Sequence, residues 1–272
     1  MPTLLPPFSI EQPTTLGEAS EMLRQYGDDA VAYAGGTELL LAMKQGGLRF
    51  GHLVDLKTIP GLNGIDQADG TLRIGALATH LSIERSPLLK QQLPVLVDLE
   101  RRVANVRVRA TGTLGGNLCF GEPHSDPATL LLCLDATVET TERTLELDEF
   151  LIGPYQVALQ QGELLRAVRV PRPRPTQKAS YQKFQVHEFP MLGLAVVLDR
   201  DAGQARVAVG SVSPTPRRSP EAASLVVKGR LDDAAEALAE AAELIDDKEG
   251  SAEYKRHLIR VFLTRAYEEA TA

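Results

Sequence analysis

Two glycine pairs constrain this chain more than any other feature: AGGT at 34–37 and LGGN at 114–117. Each follows an apolar or β-like segment and is itself followed by a small polar residue, Thr37 or Asn117. Glycine lacks a Cβ, so such a pair serves either a tight turn or a close approach of the backbone to a ligand. Successive backbone N–H groups in a glycine turn form a concave anion site, and a helix N-terminus behind it adds a favourable dipole. Two such loops would suit a pyrophosphate gripped from opposite sides, as in a dinucleotide. Neither is a known nucleotide fingerprint. The first lacks GxGxxG spacing with an acidic residue about 20 positions on, and no GxxxxGK[ST] run occurs. Taken singly, each pair reads as well as a plain turn.

The surrounding pattern alternates short strands and helices. Leu16, Ala19, Met22, Leu23 and Tyr26 recur at helical spacing up to Gly27, which stops the helix. AVAY at 30–33 and HLVDL at 52–56 read as strands, with a helix between them that Thr37 would cap and Gly46-Gly47 would end. Asp69-Gly70 marks a hairpin turn. The segment 80–104 is helical in pieces, broken at Pro87 and Pro94, and strands return at 138–151 and 163–171. Pro171, Pro173 and Pro175 disfavour both helix and internal strand, which predicts a boundary between domains 1–175 and 176–272. Beyond it come two antiparallel strands turning at Asp201-Ala202-Gly203, then three helices.

A net charge of −7 argues against a general nucleic-acid binder, even with Arg101, Arg102, Arg107 and Arg109 clustered before the second pair. No apolar run approaches the roughly 18 residues of a spanning helix, and the opening MPTLLPPFSIEQP lacks the basic region of a signal peptide. A cytoplasmic protein is expected. Cys119 and Cys133 are too few for a disulfide framework or a four-thiolate cluster, and read as small buried hydrophobes. Asp126-Pro127 before ATLLLCLDA reads first as a helix start with Asp126 as the cap, though its carboxylate suits a ligand as well. No nucleophile elbow, HExxH or metal-ligand spacing occurs.

In order and separation, AYAGGTELLLAMKQG, TLRIGALATH, TGTLGGNLCFGEPHSDPATLLLCLDA and GELLRAVRVP resemble the FAD-binding medium subunit of molybdenum hydroxylases. That family includes the CO dehydrogenase flavoprotein subunit and the flavin domain of xanthine dehydrogenase. The resemblance covers nearly the whole chain, C-terminal segments included. It implies an α+β fold: a two-subdomain FAD-binding (PCMH-type) domain, then a C-terminal domain with a small antiparallel sheet and helices. Carried onto this sequence, it implies that Ala32, Tyr33, Ala34, Gly35, Gly36, Thr37, Glu38 and Leu39 wrap the FAD pyrophosphate. Thr113, Leu114, Gly115, Gly116 and Asn117 would form the second phosphate-side loop. Asp126 stands where the family has an aspartate on FAD, and Leu165 and Lys183 match positions that line the flavin. Val103 falls where some relatives have an aromatic contact, and Phe189 or its neighbours in HEFPMLG would lie near the isoalloxazine ring.

The same resemblance implies electron transfer rather than substrate chemistry. A molybdopterin-binding large subunit would oxidise the substrate, a small subunit would carry two [2Fe–2S] clusters, and FAD on this chain would hand electrons to an external acceptor, in a dimer of heterotrimers. Relatives with a cluster loop insert cysteines between the Asn and the Asp; here eight residues separate Asn117 from Asp126, so no cluster is expected on this chain. Two other functions remain open: a self-sufficient FAD-dependent oxidase or dehydrogenase, and a scaffold that kept the fold but lost FAD. The chain is short for a dedicated substrate domain, and both glycine pairs are intact.

Overall fold

The computed structural model describes residues 4–185 and 189–272, and the chain is α+β, with three main sheets and a two-stranded ribbon. The first sheet is parallel and small. It takes β1 (Ser9–Glu11), β2 (Ala30–Tyr33) and β3 (His52–Asp55) in the order β1-β3-β2, with α1 (Leu16–Tyr26) and α2 (Leu39–Lys44) in the connections. Thr15 caps α1 by accepting from the Glu18 N–H, and Gly27 ends it at φ +59°, a left-handed backbone that favours glycine. The helix lays Ala19 and Leu23 on Val54 and Leu56, which closes a small core of its own.

The second unit is larger. Strands β4 (Ile65–Ala68) and β5 (Thr71–Gly75) form the hairpin expected at Asp69-Gly70. A run of short helices follows: α3 (His80–Arg85), α4 (Pro87–Gln92), α5 (Pro94–Glu100), α6 (Val106–Thr111), α7 (Leu114–Phe120) and α8 (Asp126–Cys133). Pro87 and Pro94 each open a helix, where the missing N–H costs nothing. Then come β6 (Thr137–Thr140), β7 (Thr144–Glu146), α9 (Leu147–Phe150), the ribbon β8 (Leu151–Gly153) with β9 (Gln156–Val157), and β10 (Leu165–Pro171). The antiparallel order β4-β5-β10-β6-β7 puts β10, last in sequence, at the centre.

The third sheet is antiparallel: β11 (Gln177–Gln185), β12 (Pro190–Asp199), β13 (Gln204–Gly210) and β14 (Arg217–Arg218). Every residue of β12 is buried, because both faces are covered. With the period of two, Leu192, Leu194, Val196 and Leu198 join the core under α10 (Pro220–Val227), α11 (Leu231–Ala242) and α12 (Ala252–Thr271). Ala195 and Val197 point the other way, into the core of the second unit, alongside α8. The proline-rich connector 172–176 therefore joins two layers that share one core. Among the described residues no helix is long and apolar enough to cross a membrane.

Candidate functional site

The chain segments that carry the two glycine pairs pack directly on one another. A Cβ on Gly35 would collide with the Thr111 carbonyl and with Gly112, so only glycine allows this approach. Gly36 turns at φ +70° over the Tyr33 ring and sends the chain into α2. Thr37 does not cap that helix. Glu38 holds the cap position in a helical conformation with no side-chain capping bond, which leaves the Thr37 hydroxyl beside Gly112.

The second pair differs from the turn that its composition suggests. Gly115 and Gly116 lie inside α7, in its first turn, with Thr113 as the cap accepting from the Gly116 N–H at 3.0 Å. Gly115 is needed for packing: its N–H donates to the Ala76 carbonyl at 2.9 Å, and a Cβ would strike Ala76. The Leu114 N–H donates to Ala78 and the His80 N–H to Gly112, so the segment after β5 is zipped to the segment entering α7. Gly116 is different. The one group a Cβ there would meet is the Thr113 hydroxyl of its own cap.

These segments enclose a cavity of about 710 Å³, within the roughly 300–1,000 Å³ of typical cofactor and ligand sites. Of the residues singled out from sequence, Ala32, Ala34, Gly35, Gly36, Thr37, Glu38, Leu39, Val103, Thr113, Gly115, Gly116, Asn117 and Leu165 line it. Five do not. Tyr33 lies beneath Gly36 with Lys57 Nζ 3.8 Å above its ring, and Leu114 is wholly buried in the core. Asp126 and Lys183 pair with each other, and Phe189 is 40% exposed with its ring 5.5 Å from that of His124. Of its neighbours, His187 and Glu188 lie outside the described residues. Sequence reasoning missed His80, the 76–77 segment after β5 and the 159–164 loop before β10, all of which line the cavity. TLRIGALATH carries the family resemblance through its order along the chain, and nothing local in it singles out His80.

Asp126 is buried, but it is not the cap of α8. Ser125 caps that helix through the Ala128 N–H, and its own hydroxyl donates to Asn117 Oδ1 at 2.6 Å. The Asp126 carboxylate is thereby released to accept from the Tyr181 hydroxyl and from Lys183 Nζ, each at 2.6 Å. Gly193 makes the Tyr181 contact possible, because a Cβ there would run into the tyrosine oxygen. Burial, reinforced by the Asp126 charge, pushes the Tyr181 hydroxyl well above its ordinary range, so it stays a donor. Lys183 Nζ also reaches the Arg102 carbonyl at 3.3 Å, which ties β11 to the Val103 stretch of the cavity wall.

Beyond Asn117 stands an aromatic and acidic rim. Tyr155 donates to Glu122 at 2.7 Å and meets Phe120 edge-on, while Glu122 also bonds His124 at 2.6 Å. Burial raises the Glu122 carboxyl, but the His124 and Tyr155 bonds outweigh it and hold it below the usual range. Burial and the Glu122 carboxylate push Tyr155 up to about 12. Cys119 lies in the cavity wall and Cys133 is buried beneath the third sheet; burial pushes both thiols to about 12, which keeps them protonated at neutral pH.

The sequence matches the family described as FAD binding domain in molybdopterin dehydrogenase over residues 6–173. It matches the one described as CO dehydrogenase flavoprotein C-terminal domain over residues 180–270. It is 33% identical to the carbon monoxide dehydrogenase medium chain of Afipia carboxidovorans, covering 97% of each chain. It is 30% identical to the nicotine 6-hydroxylase medium subunit of Paenarthrobacter nicotinovorans, covering 98% of this chain and 99% of that one. The fold superimposes on a chain of the crystal structure of cyanide-inactivated Cu,Mo-CO dehydrogenase with a TM-score of 0.93, at 31% identity and 98% coverage of both chains.

Proposed function

Because this chain belongs to the family of FAD-binding domains in molybdopterin dehydrogenases, with the CO dehydrogenase flavoprotein C-terminal domain behind it, we propose that it is the electron-transfer subunit of a multi-subunit molybdenum hydroxylase. The observation that carries the proposal is the cavity floored by both glycine pairs. Its residues fit FAD: Gly116 adds no side chain to the wall, Gly36 holds the left-handed turn at φ +70° packed on Tyr33 and Leu40 that carries the 34–39 segment along it, and Thr37 and Asn117 line the cavity beside them. The 34–39 segment would supply backbone N–H donors to the diphosphate from one side. The first turn of α7, whose N–H groups already bond Ala78, Ala76 and Thr113, would face it from the other side with the side-chain-free Gly116 and the Asn117 amide. Val103 and Leu165 would cover the apolar part, and the Asp126–Lys183 pair would hold the Val103 stretch in place through the Arg102 carbonyl. Phe189 would shield the ring end from the rim. Residues 1–175 form the FAD-binding part and 176–272 the C-terminal part.

When bound, FAD would supply the redox chemistry, taking electrons from a partner chain and releasing them to an external acceptor. The protein's part is to bind, orient and keep water from the cofactor. Two cysteines cannot ligate a four-thiolate cluster, so the [2Fe–2S] centres would belong to a small subunit and the molybdopterin to a large one. The assembly would be a cytoplasmic dimer of heterotrimers. Relatives named for CO and for nicotine are both similar to this chain over nearly its whole length, which suits a subunit that does not choose the substrate.

Purification with whatever chains accompany it tests the proposal. The isolated chain should hold flavin that a candidate substrate does not bleach, and the intact complex should show the bleaching. Bleaching by substrate in the isolated chain would contradict it and favour the self-sufficient enzyme.

A further inference from the structure

FAD carries two negative charges on its diphosphate, yet the described residues that line the cavity include no lysine or arginine. Several cations beside the lining segments are engaged elsewhere, among them Arg24 with Glu142 and Arg143 with Glu163, each at 3.0 Å. Lys57 donates to Asp55 at 2.6 Å and to the Ala34 carbonyl, Lys183 to Asp126, and Arg109 to Glu84 at 3.2 Å. Among the described lining residues, one side chain can carry positive charge: His80.

His80 sits where the two glycine segments meet. Its backbone N–H donates to Gly112, and Thr79 bridges to Thr113 beside it. A Cβ on Gly112 would lie 3.1 Å from the His80 ring at Cδ2 and 3.2 Å from the Thr37 hydroxyl, so ring and hydroxyl flank one point. The ring's Nδ1 is committed to Glu100 Oε2 at 2.7 Å, in a pair that is 4% and 0% exposed. No hydrogen bond among the described residues goes to its Nε2, the nitrogen next to Cδ2. Glu100 Oε1 likewise has no partner among the described residues. A carboxylate buried this completely is a poor device for stability alone, since an apolar pair of similar volume does as well or better. It is an effective device for fixing a ring.

We propose that His80 is a diphosphate ligand of FAD, donating from Nε2, and that Glu100 is its positioning residue. Accepting from Nδ1–H, Glu100 locks the ring's orientation; a phosphate oxygen on Nε2 then completes an imidazolium held between two anions. This inference rests on the flavoprotein proposal above and adds a ligand to its site.

The test compares three ligands on the full-length chain stripped of flavin: FAD, ADP and riboflavin, which has the ring but no phosphate. The variants are His80→Gln and the double variant H80Q/E100Q, whose two amides can pair without leaving a lone buried carboxylate. FAD and ADP should weaken about ten- to hundredfold in both, the range of one charge-assisted hydrogen bond, while riboflavin affinity stays unchanged. Unchanged FAD and ADP affinity in the folded double variant would overturn the proposal. A parallel loss for riboflavin would overturn it too, by making the pair a structural prop. A wild-type chain that binds none of the three would instead refute the flavoprotein proposal, and this one with it.

Discussion

Gly116→Val should yield a folded chain that no longer retains FAD. Gly116 already has helical backbone in the first turn of α7, and valine is a better helix former than glycine. The new Cβ would crowd its own cap, the Thr113 hydroxyl at 2.9 Å, and its methyls would project into the cavity where the diphosphate is proposed to lie. FAD affinity should fall at least about 100-fold, or about 2.7 kcal/mol, with the apoprotein melting within a few degrees of wild type. Gly35→Ala makes the contrast. Its Cβ meets the Thr111 carbonyl and Gly112, which are backbone and cannot swing aside, so loss of FAD should come with a loosened fold. Equilibrium FAD titration beside a thermal melt of each apoprotein separates the two. Wild-type affinity in Gly116→Val would mean the phosphates lie elsewhere.

The largest stability effect should fall on Asp126→Ala. Removing the carboxylate leaves the Lys183 ammonium, 9% exposed, without its counter-charge and the Tyr181 hydroxyl without its acceptor. Breaking one side of such a pair costs about 3–5 kcal/mol, against about 1.5–3 for Tyr181→Phe, which deletes one bond to a charged acceptor. A helix cap alone would cost about 1 kcal/mol. Urea unfolding should show this order. Adding Lys183→Met to Asp126→Ala should recover part of the loss, because no lone buried charge then remains. A cost for Asp126→Ala no greater than that of a cap, with no recovery in the double variant, would return Asp126 to the helix-start role that its place before Pro127 suggests.

The local grammar of this chain was legible in its residues. The hairpin at Asp69-Gly70, the stop at Gly27 and the breaks at Pro87 and Pro94 follow from backbone preferences that act within a few residues. What misled local reasoning was competition from tertiary contacts. A glycine pair is a poor helix segment, yet 115–116 is helical because Thr113 caps the turn and the 76–78 segment takes its first N–H groups. Ser125 displaced Asp126 from the cap, which turned that carboxylate toward β11. The contacts that matter most for the site span long stretches of chain: Asp126 to Lys183, Gly35 to Thr111, His80 to Glu100. Periodicity cannot reveal such pairings. The two glycine pairs could be seen as a possible clamp, but the histidine between them could not.

The central claim, that this chain holds a dinucleotide flavin between its two glycine segments, is tested most directly by titrating the flavin-free chain with FAD and, separately, with FMN. One FAD per chain should bind, and FMN should bind far more weakly because it lacks the diphosphate link and the adenosine beyond it. No binding of FAD, or FMN binding as tightly as FAD, would contradict the account.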